Sequence, residues 1–260
     1  MSGFDRLETR LRASRDAGRK LLVPYLTGGL PGWTDGVRAA AANGADVIEI
    51  GLPFSDPVMD GPVIQEASQR ALDAGATPMT ILEEARALDV DVPLVVMCYY
   101  NTIHHPGHQR FASMLESAGV WGAIVPDLPL EEAGPWCAEA DAHGLSTIML
   151  AAPTAPDARL PLICARARGF VYSVGLLGVT GERTTLASTA TELARRLKAV
   201  TDVPVIVGVG VSNAEQAVEA CHVADGVVQG ASVVRRFLAN GADGVGDYVA
   251  EVRDALDRGI

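Results

Sequence analysis

Two acidic residues, Glu49 and Asp60, have sequence surroundings that could give them a chemical role. Glu49 interrupts the apolar run Val47–Leu52. Burying an ionised carboxylate is costly unless the group is paired or its pKa is raised. A raised pKa would suit an acid–base catalyst that works near neutral pH. A structural glutamate, hydrogen-bonded to a neighbouring strand, explains the position equally well.

The loop that follows this run carries three prolines among residues 53–62. Prolines restrict the backbone, so they could fix the side chains of Asp56 and Asp60 in place. Asp60 also directly precedes Gly61 and Pro62, where the next helix is predicted to begin, and a helix cap would explain it. Asp56 and Pro57 could form an ordinary turn. Spacing alone slightly favours these structural explanations.

Glycines cluster near the ends of the last three apolar runs, which suggests an anion site. The clusters are Gly178 with Gly181, Gly208 with Gly210, and Gly230. Glycine lets backbone N–H groups approach a ligand closely. The segment after Gly230 begins a helix, whose N-terminus favours an anion. Tight turns are the alternative explanation for these glycines.

Eight short apolar runs alternate with longer amphipathic segments, as in a chain of βαβ units. Most runs are apolar at nearly every position, as expected of parallel strands that are covered on both faces. In a (β/α)8 barrel the chemistry lies where strands end and loops begin. The runs are Leu21–Thr27, Asp46–Leu52, Pro93–Tyr100, Gly122–Pro126, Ser146–Ala151, Gly169–Val174, Pro204–Gly208 and Gly226–Gly230.

Eight repeats in 260 residues favour a closed barrel over an open dinucleotide-binding sheet. Gly208 and Gly210 follow a strand, but Asn213 stands where the third glycine of that fingerprint would fall. An additional helix is predicted at Phe4–Ala17. We therefore expect an α/β protein, a single (β/α)8 TIM barrel with an extra N-terminal helix, forming one domain over residues 1–260. The later helices include Glu131–His143 and, after the eighth strand, a pair at Val233–Ala239 and Val245–Asp257.

The composition excludes several classes of function. A formal net charge of −11 disfavours binding to nucleic acids and to anionic membranes. The four cysteines form no CxxC pair, and the histidines at 104, 105 and 108 lack an evident cysteine or carboxylate partner, so no metal is expected. The first residues do not resemble a signal peptide and no apolar run could span a bilayer. We expect a cytoplasmic protein.

The segment Glu49–Pro57, followed by Asp60–Gln65, closely resembles the tryptophan synthase α-subunit family. Further segments, from Leu22–Gly29 to Gly178–Gly181, extend the resemblance over essentially the whole chain. It implies a (β/α)8 lyase of tryptophan biosynthesis that cleaves indole-3-glycerol phosphate by retro-aldol chemistry to indole and glyceraldehyde 3-phosphate. Glu49 and Asp60 match the family's catalytic pair. Met59 replaces the alanine that is usual between them.

The same resemblance implies two sets of ligand contacts. The substrate would be bound by Tyr172, Leu22, Phe170, Leu128 and Val209, and its phosphate by Gly181, Gly210, Gly230, Ala231 and Ser232. The family usually has Gly-Ser-Ala at the eighth strand, whereas this chain has Gly-Ala-Ser. Helix geometry would direct the hydroxyl of Ser232 elsewhere. One hydrogen bond is worth about 0.5–1.5 kcal/mol, so we expect weaker phosphate binding at most.

The family works as an α2β2 complex with a β-subunit that carries pyridoxal phosphate. The resemblance therefore implies no cofactor on this chain, and partner contacts through Asp56, Pro57 and the segment from Asn101 onward. A second departure is Gly175-Leu176, where the family commonly has a serine followed by a polar or basic residue. These residues begin a long loop that is expected to act as a lid.

Three other functions remain open at this point. The chain could be a stand-alone lyase that releases free indole, with which both departures are compatible. It could act on another sugar phosphate, although a Schiff-base aldolase needs a strand lysine and strand ends here almost lack lysine. It could also be a regulatory partner of a β-subunit with little activity of its own, although Glu49 and Asp60 argue against this.

Overall fold

Eight parallel strands close into a barrel in chain order, with β8 paired to β1. The structure, a computed structural model, describes residues 5–175, 188–208 and 210–259. All eight predicted runs contain a strand, and the prediction of a TIM barrel is confirmed. The strands are β1 Leu21–Thr27, β2 Ile48–Gly51, β3 Leu94–Met97, β4 Gly122–Ile124, β5 Ser146–Ala151, β6 Val171–Val174, β7 Val205–Gly208 and β8 Gly226–Gln229.

Helices surround the barrel on its outside, and one more precedes it. They are α1 Arg6–Asp16, α2 Trp33–Ala42, α3 Pro62–Asp73, α4 Pro78–Arg86, α5 Tyr100–His104, α6 His108–Ser117, α7 Gly134–Ala142, α8 Leu160–Arg166 (after a 3-10 turn, Asp157–Arg159), α9 Ser188–Lys198, α10 Ala214–Cys221 and α11 Ala231–Arg258. The two predicted C-terminal helices lie within α11, whose backbone breaks at Gly241 with φ 61° and ψ −144°.

The third strand ends earlier than its apolar run predicts. The run extends to Tyr100, but β3 ends at Met97 and Tyr100 begins the short helix α5. The backbone N–H of Tyr100 donates to Oδ1 of Asp127, in the loop after β4, at 2.8 Å. The carboxylate of Asp127 thus accepts the N–H that a longer β3 would have donated to a neighbouring strand. Hydropathy alone does not reveal this replacement.

The N-terminal helix closes one end of the barrel. Leu7 and Leu11 of α1 are fully buried against the inward side chains at the starts of the strands, including Leu21. A Cβ atom added to Gly169 would lie 2.7 Å from Cδ2 of Leu7, so the helix approaches the start of β6 closely. The guanidinium of Arg6 lies 4.4 Å above the Trp121 ring. This end is sealed, which leaves the opposite end for a site.

Carboxylates at the sealed end are paired with donors. Asp46 accepts the backbone N–H of Leu22 at 2.9 Å and lies 3.4 Å from Nη1 of Arg253. Asp225 accepts two hydrogen bonds from Nζ of Lys198, each at 2.9 Å. Buried charges that are paired in this way hold strands in place. Acid–base chemistry is therefore not expected at this end.

Truncating Leu7, with which α1 fills one end of the barrel, should destabilise the protein strongly. In Leu7→Ala, the loss of buried methyl groups and the cavity that remains should lower the free energy of unfolding by about 2–5 kcal/mol. Leu162→Ala on α8, where the leucine is 61% exposed, is the matched control and should change it by no more than about 0.5 kcal/mol. Urea unfolding followed by circular dichroism measures both free energies. Equal effects of the two substitutions would contradict the stabilising role of Leu7 at this end of the barrel.

Candidate active site

Glu49 and Asp60 lie at the open, C-terminal end of the barrel. Glu49 is a residue of β2 and is 3% exposed, and Asp60 lies in the loop before α3 and is 5% exposed. Oε2 of Glu49 is buried without a hydrogen-bond partner among the described residues. This contrasts with Asp46 and Asp225, whose carboxylates are paired. Glu49 is thus not the structurally hydrogen-bonded glutamate that was the alternative explanation.

The loop that carries Asp60 is anchored through Tyr99, which lies just beyond the end of β3. The hydroxyl of Tyr99 accepts the backbone N–H of Met59 at 3.1 Å and hydrogen-bonds the carboxylate of Asp60. Nε2 of Gln65 donates to the backbone carbonyl of Asp60 at 2.7 Å. Helix α3 has Gly61 at its N-cap and no side-chain cap. The helix-cap explanation of Asp60 is therefore wrong.

The two carboxyl groups differ in their protonation. Burial raises the pKa of Glu49 to about 8, and the negative charge of Asp60 adds to the shift. Burial also raises the pKa of Asp60, to about 6, although the hydrogen bond from Tyr99 acts in the opposite direction. At neutral pH, Glu49 therefore keeps its proton while Asp60 is mostly ionised. The pair provides a proton donor beside a fixed negative charge.

Two tyrosines complete the wall around the carboxylates, and two glycines make room for them. A Cβ atom on Gly51 would lie 1.8 Å from Oη of Tyr25, and one on Gly208 would lie 2.3 Å from the Tyr172 ring. Burial raises the pKa of both phenols well above the usual value, and the charge of Glu49 contributes to both shifts. Tyr172 thus lies near Glu49, and its contact with a substrate stays a prediction. Gly208 makes room for this ring, a reason that the sequence did not suggest.

Two of the predicted substrate contacts do not face the site. Leu22 packs in the layer between the barrel and its helices, because it occupies the outward face of β1. Tyr25 shares the inward face with Leu21 and Val23, but β1 is buried at every position, so no alternation in the sequence marks this face. Phe170 is fully buried inside the barrel, with its ring centroid 6.3 Å from that of Tyr172. It supports the tyrosine from behind and presents no surface to a ligand.

A cavity of about 550 Å³ adjoins the loop of the carboxylates. It lies at the loops after β4 and β5, and Met59, Leu128, Ile148 and Val174 contribute to its lining. Cavities of this size suit small organic ligands and are mostly apolar. Leu128 therefore lies where an apolar part of a ligand could contact it. Val209, the remaining predicted contact, lies outside the described residues.

The predicted anion site is open at the start of α11. Gly210 has φ +90°, in the left-handed region that glycine favours. A Cβ atom added to Gly230 would have Cδ1 of Ile64, at 3.8 Å, as its one neighbour within 4 Å among the described residues. Helix α11 begins at Ala231 and has no side-chain cap, so its first N–H groups are available to an anion. Gly181 lies outside the described residues, as do Leu176 and nearly all of the expected lid loop.

The hydroxyl of Ser232 does not face the predicted anion site. It is buried, and its hydroxyl donates to Oε1 of Gln229 at 2.8 Å. The side chain therefore points into the core and not toward the open end of the helix. The hydroxyl thus points away from the predicted anion site, as helix geometry led us to expect. Because Ser232 lies in the first turn of α11, its backbone N–H is the group that can face the predicted anion site.

The predicted partner-interface residues share one rim of the open end. Asp56 and Asn101 are exposed, and Pro57 is partly exposed. The rings of Phe54 and Tyr99, with centroids 5.2 Å apart, join the loop after β2 to the end of β3. Val58, in the same loop, is 67% exposed.

Other predicted features have ordinary surroundings. Nε2 of His108 is 2.8 Å from the hydroxyl of Tyr100, and the ring of His104 packs against the same tyrosine. Within the described ranges, no three histidine, cysteine or acidic side chains come together as a metal site. All four cysteines are buried free thiols. No helix in the described part of the chain is long and apolar enough to cross a membrane.

Comparison with known proteins agrees with this arrangement. The family model described as tryptophan synthase alpha chain matches residues 11–254. The chain belongs to the tryptophan synthase α-chain family. It is therefore a lyase, and its reaction is the cleavage of indole-3-glycerol phosphate in tryptophan biosynthesis.

Individual members of the family match nearly the whole chain. The tryptophan synthase alpha chain of Streptomyces coelicolor is 44% identical over 256 residues, covering 95% of this chain and 94% of that one. That of Thermobifida fusca is 45% identical, with the same coverage. A solved structure of Mycobacterium tuberculosis tryptophan synthase has a TM-score of 0.91 at 36% identity, covering 98% of this chain and 99% of that one.

The tryptophan synthase α-chain fold should become more stable at alkaline pH when Glu49 is replaced by a neutral side chain. The folded state binds the Glu49 proton more tightly than the unfolded state, because burial raises its pKa from 4.5 to about 8. The free energy of unfolding of the wild type should therefore decrease as the pH rises from 4.5 to about 8. The free energy of unfolding of Glu49→Gln, taken relative to that of the wild type, should be about 2–4 kcal/mol larger at pH 8.5 than at pH 5.

Urea unfolding at the two pH values measures this difference. Glu83→Gln, at an exposed position of α4, is the matched control and should show no such pH dependence. An identical pH dependence for wild type and Glu49→Gln would mean that Glu49 is not protonated in the folded protein at neutral pH.

Proposed function

We propose that Glu49 and Asp60 carry out the cleavage as a neutral acid and an anion. The observation that carries this assignment is the pair of buried carboxyl groups at one strand end, with no cation bonded to either among the described residues. Their different environments give them different protonation at pH 7. Pairs of acids whose environments separate their pKa values divide the acid and base roles between them.

The bond between indole C3 and the first glycerol carbon must break with both electrons moving to the ring. Glu49 donates its proton to C3, which makes the ring a cation and a good leaving group. The ionised Glu49 then accepts the proton of the hydroxyl on the glycerol carbon as the C–C bond breaks. The bonding electrons neutralise the ring, which leaves as indole, and the other product is glyceraldehyde 3-phosphate. Glu49 returns to its protonated state.

Asp60 acts throughout as the negative charge. Its carboxylate hydrogen-bonds the ring N–H and stabilises the cation that forms after C3 is protonated. Tyr99 keeps this carboxylate ionised and in place through its hydrogen bond. The ring is held between Tyr172 and Tyr25, with Leu128 and Val209 as further apolar contacts.

Backbone N–H groups of the described residues hold the phosphate. Gly181, Gly210 and Gly230 allow close approach, and the first turn of α11 from Ala231 onward supplies donors at a helix N-terminus. This grip orients the scissile bond toward Glu49. It also explains how a chain with a net charge of −11 can bind an anion, since local dipoles outweigh the distant charges.

We further propose that the chain works in the cytoplasm as the α-subunit of an α2β2 complex. The exposed rim formed by Asp56, Pro57 and Asn101 would face the β-subunit, with Val58 in the same loop. The reaction on this chain needs no cofactor, because protonation of C3 supplies the leaving group. Pyridoxal phosphate is expected on the β-subunit alone.

Removing the proton donor should nearly abolish cleavage. Glu49→Gln keeps the shape of the side chain but cannot donate or accept the reacting proton, so kcat should fall by at least about 10²–10⁴-fold. Release of indole from indole-3-glycerol phosphate is the measurement, made with and without a cognate β-subunit. Glu83→Gln serves as the matched control and should retain wild-type activity.

The two arms of this assay also separate the other functions. Near-normal turnover by Glu49→Gln would remove Glu49 from the acid–base role. Full wild-type activity without the β-subunit would indicate a stand-alone lyase that releases free indole. Activation of β-subunit turnover by a wild-type chain that itself cleaves no substrate would indicate a regulatory partner.

The pH profile of kcat/KM should be bell-shaped, with its maximum near pH 7. Activity should rise as Asp60 ionises with a pKa of about 6 and fall as Glu49 loses its proton with a pKa of about 8. Tyr99→Phe removes the hydrogen bond that lowers the pKa of Asp60, so the acidic limb should move to higher pH. A wild-type profile that stays flat from pH 7 to 9.5 would be inconsistent with a protonated Glu49.

A further inference from the structure

Three buried polar side chains form a hydrogen-bonded group behind the start of α11. Gln229 ends β8, Ser232 lies in the first turn of α11, and Tyr248 lies beyond the break at Gly241. Oε1 of Gln229 is 2.8 Å from the hydroxyl of Ser232 and 2.8 Å from the hydroxyl of Tyr248. All three side chains are buried. We call these three residues the polar bridge.

The polar bridge also reaches the loop after β7. The hydroxyl of Tyr248 donates to the backbone carbonyl of Ser212 at 3.1 Å. The backbone N–H of Ser212 in turn donates to Oε1 of Gln216 at 2.7 Å. Ser212 follows Gly210 by two residues, and Gly210 is a predicted phosphate contact. The bridge therefore joins the two segments that carry the described phosphate contacts, the loop after β7 and the first turn of α11.

The Gln229 amide can serve the bridge in either of two orientations. As placed, Oε1 accepts from Ser232 and Tyr248, while Nε2 is buried without a partner among the described residues. Turning the amide by 180° would let Nε2 donate to both hydroxyl oxygens. The single proton of Tyr248 would then be available to the carbonyl of Ser212. Both orientations connect the same side chains, so the connection does not depend on which one holds.

A purely apolar contact would pack these elements without burying three polar groups, each of which loses its hydration. Hydrogen bonds differ from apolar contacts in that they fix distance and direction. A phosphate held by N–H groups from two segments requires such a fixed spacing, because each donor must lie about 2.7–3.2 Å from an oxygen. The three buried polar side chains can supply this fixed spacing.

We propose that Gln229, Ser232 and Tyr248 are positioning residues, which hold the loop after β7 and the N-terminus of α11 at the spacing that fits a phosphate monoester. This inference rests on the phosphate site of the proposed function. The bridge does not touch the phosphate itself. The hydroxyl of Ser232 points away from the anion site and into the core, where it hydrogen-bonds Gln229. Ser232 therefore affects the phosphate only through Gln229.

A double-mutant cycle tests the bridge with glycerol 3-phosphate as the probe. Tyr248→Phe and Ser232→Ala each remove one oxygen atom, and calorimetry should show the dissociation constant rising by about 3- to 10-fold in each. The double variant should be no weaker than about the larger single effect, because both changes break the same connection. Ser232→Thr retains a hydroxyl and should bind nearly as wild type.

The kinetic readout separates positioning from general destabilisation. With indole-3-glycerol phosphate, KM should rise by a similar factor while kcat stays within about twofold. Binding of indole, which has no phosphate, should not change. Tyr100→Phe is the matched control, since the Tyr100 hydroxyl also has a side-chain partner, His108 at 2.8 Å, but lies away from the anion site. Its affinity for glycerol 3-phosphate should equal that of wild type.

Several results would overturn the bridge. Unchanged affinity for glycerol 3-phosphate in both single variants would make it merely structural, and effects that multiply in the double variant would show that Ser232 and Tyr248 act separately. Equal loss of indole binding would indicate general damage. No binding of glycerol 3-phosphate by wild type would overturn the anion site together with the bridge. If the expected pattern appears but wild type cleaves no substrate, the bridge stands and the proposed function fails.

Discussion

The burial of the Glu49 carboxyl group without a cationic partner among the described residues is the constraint on which the open end of the barrel depends. A buried acid with no cation keeps its proton, because ionisation in that place would cost several kcal/mol. Asp60 strengthens this effect by its own charge, and burial raises the pKa of Asp60 less far because the hydrogen bond from Tyr99 lowers it. The protein therefore maintains a proton donor and an anion side by side, a combination that free carboxylic acids in water do not provide at pH 7.

The two ends of the barrel handle buried charge in opposite ways. At the sealed end, Asp46 and Asp225 are each bound by cations and by backbone N–H groups, and α1 fills the opening with Leu7. At the open end, the carboxyl groups lack such cations among the described residues. Buried charge is thus compensated at the end that α1 closes and lacks cationic partners at the open end, where barrels of this fold carry their chemistry.

Glycine has a different use at each part of the site. Gly51 and Gly208 make room for the rings of Tyr25 and Tyr172, so their small size allows aromatic side chains from other strands to lie across the barrel mouth. Gly210 adopts a left-handed backbone, and Gly230 leaves open space before α11. The anion site therefore depends on backbone shape, and the elements that carry it need firm support from the core behind them.

The sequence by itself determined the strand count and the barrel, and it predicted the catalytic pair. Eight apolar runs and the segment around Glu49 and Asp60 carry that information locally, since hydropathy and a long motif do not depend on distant contacts. It could not decide which residues of a run face inward. Leu22 was expected at the site, but Tyr25 is there, because strands covered on both faces lose the alternation that marks their sides.

Other assignments required contacts between residues far apart in the chain. Helix geometry directed the hydroxyl of Ser232 away from the phosphate, but the sequence did not identify its acceptor Gln229 or the shared partner Tyr248. The early end of β3 depends on Asp127, and the need for a glycine at position 208 depends on the ring of Tyr172. Only the closed barrel brings these partners together, so tertiary structure alone decided where these side chains point.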